Sequence, residues 1–202
     1  MTSVRVLCRV VRLSGSLIFM ALFIATSMVG QDRSNSDGNL ENSKSTMRKL
    51  YEKDQEDLDN EHRAKFREQV QELMRNGKIQ TAEDYYYAAF IFQHGLKPSD
   101  YLYAHVLAVT AVNKGLHNAM WLSAATLDRY LQSLQQPQIF GTQFGDDQEP
   151  YARDMLSDQI RGMWCVAPQA AQSKILADEK AGKGFTSTRT CPLPDAQFDT
   201  KK

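Results

Sequence analysis

Residues 81–143 read TAEDYYYAAFIFQHGLKPSDYLYAHVLAVTAVNKGLHNAMWLSAATLDRYLQSLQQPQIFGTQ, and their punctuation decides the fold. Three apolar blocks follow one another, each opened by a capping signal and closed by glycine or proline. Thr81 with Asp84 three residues on has the form of a capping box, Asp standing in for the usual Glu, in which hydroxyl and carboxylate each accept a backbone N–H. The first helix then runs through Tyr85 to Phe92 and stops at Gly95. Pro98-Ser99 restarts the chain, and Tyr101 to Val112 is apolar nearly all round, which predicts a central helix. Gly115 ends that helix, Asn118 is placed to cap the third, and Met120, Ala124, Leu127, Leu131 and Leu134 form its stripe before Pro137.

Connections of about four residues make such helices antiparallel neighbours. Alanines on each block (Ala88, Ala89; Ala104, Ala108, Ala111; Ala124, Ala125) permit close approach. The predicted fold class is therefore all-α, a compact antiparallel helical array. It has tetratricopeptide-like hairpins but no self-similar period, so no true repeat. No segment alternates with period two over strand length, which predicts essentially no sheet.

On the N-terminal side a further helix begins near Thr46, where Met47, Leu50, Tyr51, Asp54 and Leu58 share one face. After a polar interval at 57–62, Phe66, Val70, Leu73 and Met74 resume a stripe that ends at Asn76-Gly77; one long helix or two remains open at this level. On the C-terminal side, Ser157 is placed to cap a short helix over Asp158 to Trp164, and Pro168 to open another from Gln169 to Lys180. The helical domain thus spans 46–181. Residues 31–45 are polar except for Leu40 and read as a flexible tether; 182–202 read as a loosely ordered tail.

The first 30 residues carry Arg5, Arg9 and Arg12 ahead of an apolar run from Leu17 to Val29, with small residues at Ala25, Ser27 and Gly30. That is the pattern of a secretory signal. The alternative is an uncleaved anchor over Leu13 to Gly30, short for a bilayer and interrupted by hydroxyl residues. Both place the domain outside the cytoplasm. With 24 acids and 24 bases in 202 residues, the chain is too neutral to point to nucleic acid. Membrane contact is expected only through the N-terminal segment, if that segment is retained. Cys8 falls in the leader, so Cys165 and Cys191 are the remaining thiols, and export predicts that they form a disulfide tying the tail.

Four short motifs carry a resemblance: Asp54-Gln55 on the first helix, Gln93-His94-Gly95 at a helix end, Asp128-Arg129 on a later helix, and Pro137-Gln138-Ile139-Phe140-Gly141-Thr142-Gln143 at its exit. In this order, over roughly Met47 to Gln172, the chain resembles a bacterial domain-of-unknown-function family. The resemblance implies a mostly helical domain and assigns no reaction.

The candidate ligand-binding or buried polar cluster drawn from these motifs is Asp54, Gln55, His94, Asp128, Arg129, Gln138, Thr142 and Gln143. Asp54 lies on an apolar stripe and Asp128 at the edge of one, where a carboxylate needs a partner. Arg129 is the natural candidate, and an ion pair with Asp54 or Asp128 would set helix register. The functional alternative brings Asp54, His94, Asp128 and Arg129 together around a small polar ligand. His94, one residue before Gly95, suits the helix C-terminus, where it would donate to the last carbonyls. His105 reads as a satisfied core residue and His117 as solvated. Gly141 is expected to take a backbone angle closed to other residues, with Thr142 and Gln143 bonding the ends of neighbouring helices. Tyr85, Tyr86 and Tyr87 point to three sides of one helix, so at least one should be exposed and suited to a partner surface.

No metal-ligand spacing, phosphate-cradling loop, dinucleotide fingerprint or nucleophile elbow is present in the sequence, and no cofactor or metal is implied. The leading expectation is an exported helical binding or interaction module of the cell envelope, its partner an unknown protein or small polar ligand. A metal-independent envelope hydrolase using Asp and His, or a structural accessory protein, are the alternatives.

Overall fold

The computed structural model describes residues 46–56, 59–144, 148–183 and 187–191. The expected leader (1–30), the tether (31–45) and most of the tail lie outside the described residues. Residues 46–54 form helix α1. It is followed by α2 (Asn60–Arg75), α3 (Ala82–Gln93), α4 (Pro98–Asn113), α5 (Met120–Ser133), α6 (Asp158–Met163) and α7 (Gln169–Lys180). The stripe that began at Met47 is thus two helices, because Asp59 caps α2 by accepting from the His62 N–H. Among the described residues no strand forms, and the sole pairings are isolated bridges, Gln138 with Tyr151 and Val166 with Arg189.

The predicted caps largely hold. Thr81 and Asp84 form the reciprocal box at the start of α3. Ser157 accepts from the Ile160 N–H at the start of α6, and α7 starts directly after Pro168. Asn118 differs: it lies within a 3₁₀ turn, His117–Ala119, and α5 begins without a side-chain cap. The turn itself supplies the geometry that a cap would otherwise supply.

Helices α3, α4 and α5 pack successively, α4 against both others. Every alanine of the three predicted faces is buried, so the small side chains do set the close approach. The core between them includes Ile91, Phe92, Leu107 and Leu122. Helix α1 docks on α3 through Tyr51, whose ring lies 4.8 Å from Tyr87 and 5.3 Å from Phe90, and through fully buried Met47. A side chain of that size contributes about 1.5–3 kcal/mol on full burial. Central as it is, α4 still shows Leu102 and Val106 to solvent on its outer face. No tyrosine of the Tyr85–Tyr87 triplet is exposed: Tyr86 and Tyr87 are buried, and half-buried Tyr85 has the Lys114 ammonium over its ring. Docking of α1 covers the side that the triplet would have offered.

A second apolar cluster, Ala124, Phe140 and Val166 with Trp121 and Trp164 against it, joins α5 to the C-terminal part. Cys165 and Cys191 are bridged, with Cα atoms 5.2 Å apart, as an oxidising compartment allows. The bridge holds residues 187–191 beside the 165–167 segment, where the Ala167 N–H donates to the Thr188 carbonyl and the Thr190 N–H to the Cys165 carbonyl. No helix among the described residues is long and apolar enough to cross a membrane.

Candidate functional site

The candidate residues fall into three local groups. The first is the loop after α5. Fully buried Asp128 faces it from α5 and accepts the backbone N–H groups of Ile139 (2.8 Å), Phe140 (3.0 Å) and Thr142 (3.0 Å), and the Thr142 hydroxyl (2.7 Å). Burial pushes the Asp128 carboxyl above its ordinary value, and the four donors offset part of that push. Gln138 closes the loop from within: its Nε2 donates to the Gln143 and Gln148 carbonyls, and its Oε1 accepts the Gln143 N–H. Gly141 has φ 78°, and a Cβ there would sit 2.1 Å from Gln172 Oε1 and 2.7 Å from the Tyr151 ring. This position therefore requires glycine twice over, for its backbone angle and for space. Gln143 Nε2 donates to the Ala125 carbonyl within α5, so Thr142 and Gln143 bond the body of α5, not helix ends.

Beneath the loop lies a polar layer that the motifs did not reveal. Gln148 Nε2 donates to the Gly141 carbonyl and to Gln172 Oε1, and Gln172 Nε2 to the Phe140 and Ala167 carbonyls. Arg161, only 1% exposed, donates to the Tyr151 hydroxyl, to the Leu156 and Arg153 carbonyls and to Asp158. Satisfied amides and a satisfied guanidinium are what a buried polar layer requires. The available sequence signal was the polar residues Arg161 and Gln172 inside otherwise ordinary helices, and periodicity alone does not tell which of these turn inward.

The second group is Asp54 and His94. Asp54 is fully buried, and its Oδ2 lies 2.5 Å from His94 Nδ1. The imidazole thus turns to α1 and not to the last carbonyls of α3, as the helix-end reading expected, because a buried carboxylate is the stronger acceptor. The His94 side chain is 23% exposed, and its Nε2 has no hydrogen-bond partner among the described residues. Gln55, the second residue of the Asp-Gln motif, is exposed and takes no part. His105 behaves as expected of a satisfied residue, its Nδ1 lying 2.9 Å from the Ser123 carbonyl oxygen, and His117 is exposed.

The third group surrounds Arg129. The expected ion pair with Asp54 or Asp128 does not form. Neighbouring residues on a helix project about 100° apart, so Asp128 faces the loop while Arg129 faces elsewhere, and Asp54 is taken by His94. Arg129 Nη1 donates to the Gln93 carbonyl (2.8 Å) and Nε to Gln143 Oε1 (3.0 Å). Among the described residues it has no carboxylate partner, and Nη2 has no acceptor. Loss of water pulls the guanidinium pKa below its ordinary value. Arg129 lines a cavity of about 340 Å³ together with Gln93, Trp121, Ala125, Thr142, Gln143, Phe144, Glu179 and Ser187. Asp54, His94 and Asp128 are not part of its lining, so the four residues do not converge on this cavity.

Comparison of the chain with family models, with curated proteins and with solved structures gives no match.

Proposed function

We propose that the chain is an exported, all-helical binding module of the cell envelope that takes a small polar ligand into the cavity at Arg129. The observation that carries this reading is a half-buried, well-braced guanidinium that lines a cavity and has no carboxylate partner among the described residues. Small-molecule sites are concave and orient their ligand with few polar groups. Two of its five N–H donors brace the side chain, and the others are left to face an anion. Export is supported by the arginine-flanked apolar run and by the Cys165–Cys191 bridge. The test is an NMR titration of the mature chain with acetate and with inorganic phosphate, following the Arg129 Nε–H resonance. Saturable shifts are expected there and at the Trp121 Nε1–H and Gln143 backbone N–H, which also line the cavity; the latter two should not shift in Arg129→Gln, and no shift in the wild type with either anion would count against the reading.

A second reading, a metal-independent hydrolase, draws on Asp54 and His94. A carboxylate at Nδ1 orients the ring and leaves Nε2 to take or give a proton. Asp128, expected beside them, is committed to the loop. Hydrolysis of p-nitrophenyl acetate above background, abolished in His94→Gln, would bring this reading forward.

A further inference from the structure

The Arg129 cavity has a second charge. Glu179, near the end of α7, lines the same space, and its exposed carboxylate has no ion-pair partner among the described residues. Arg129 and Glu179 do not approach within ion-pair distance of each other, so neither neutralises the other. One wall is fixed by the two hydrogen bonds of Arg129. Another is fixed at Trp121, whose Nε1 donates to Thr188 Oγ1 (3.1 Å) and whose ring has the Arg189 guanidinium 4.4 Å from its centroid. These two walls are therefore set before any ligand arrives, which lowers the ordering cost of binding.

We infer that the ligand is a zwitterion, a free amino acid or a peptide no longer than about two residues, with its carboxylate on Arg129 and its ammonium toward Glu179. This rests on the binding role proposed for the cavity and adds the class of ligand. A braced cation and an exposed anion lining one small space select by repulsion as well as by attraction. A simple carboxylate gains Arg129 but meets Glu179, and a simple amine meets the reverse. A molecule with both groups satisfies both walls, and partial exclusion of water strengthens the contact with Arg129. The volume of about 340 Å³ is at the low end for small-molecule sites, roughly 300–1,000 Å³, which limits the ligand to this size. Aromatic surface from Trp121 and Phe144 would cover the carbon skeleton.

Calorimetric titration of the mature, oxidised chain tests this with glycine, β-alanine and diglycine, set against acetate, propionate and ethylamine. At least one zwitterion should bind about tenfold or more tightly than the matched carboxylate and amine, the difference one charge-assisted contact makes. Glu179→Gln, at an exposed position, should remove that preference and leave carboxylate binding equal or stronger. Arg129→Gln should lose both. If carboxylates bind as well as zwitterions and Glu179→Gln changes nothing, the zwitterion inference is overturned while the binding role stands. If no probe binds the wild-type chain, both are overturned.

Discussion

Asp54 and His94 stand 40 residues apart in the chain, yet the carboxylate of one and the imidazole of the other meet at 2.5 Å. The contact pins α1 to the C-terminal end of α3, beside the aromatic contacts of Tyr51. The same loop end is engaged from two further sides: Arg67 Nη1 donates to the His94 carbonyl (3.4 Å), and Arg129 donates to the Gln93 carbonyl. The end of α3 is thus where α1, α2 and α5 meet: α1 through the carboxylate–imidazole contact, α2 and α5 through arginines that relieve carbonyls at the helix end.

Removing one member of the Asp54–His94 pair leaves a carboxylate out of water with no donor. His94→Ala should therefore destabilise the chain by about 3 kcal/mol, near the lower end for broken buried pairs because the imidazole is partly solvated. Asp54→Asn combined with His94→Ala should recover part of that loss, since no charge is then stranded. Urea unfolding of the two variants decides the matter; equal stability of single and double variants would show that the pair is not coupled.

Gly141 and Gly77 both have positive φ, 78° and 64°, but a Cβ at Gly77 meets nothing within 4 Å. Gly77→Ala should cost only the backbone term, about 1 kcal/mol. At Gly141 the same change adds a collision with Gln172 and Tyr151, so a loss of more than about 2 kcal/mol is expected. Thermal unfolding of the two proteins side by side gives the comparison directly.

Asp128 satisfies three backbone N–H groups of the exit loop. Asp128→Ala strands buried donors that each cost about 1–3 kcal/mol when unpaired, and a total loss of at least about 3 kcal/mol follows. Amide exchange at Ile139, Phe140 and Thr142 should accelerate most in that variant. Uniform acceleration across α3 and α4 instead would place the effect in global unfolding.

Reduction of Cys165–Cys191, or the Cys165→Ser/Cys191→Ser pair, removes a cross-link over a sequence separation of 26. Chain entropy assigns such a link about 3–4 kcal/mol. Residues 187–191 carry Thr188 and Arg189 onto Trp121, so tryptophan emission should shift to the red as that ring gains water. Unchanged emission after complete reduction would mean that the segment stays in place without the bridge.

Helix positions, most caps and the requirement for glycine at 141 were legible in the chain, because each depends on residues within about one turn of one another. The alanine faces likewise announced close packing of α3, α4 and α5. The pairing of the cysteines needed only a small number of thiols and an expected compartment. Partner choice was not legible. Asp54, Asp128 and Arg129 were marked as charges that needed partners, and the sequence-based reading paired them with each other. In the structure they choose His94, the amides of a loop, and a carbonyl beside a cavity.

Those choices depend on which side of a helix each residue faces and on which loop end is brought near, differences of about 100° and of a few ångströms. Buried Arg161 and the Gln148–Gln172 pair show the same limit from the other direction. Local propensity by itself determined that this chain is helical and where its helices stop. Only tertiary packing decided which polar groups lost their water, because burial belongs to the assembled layers and not to any residue alone. The same packing left Arg129 without a carboxylate partner among the described residues, next to an open cavity.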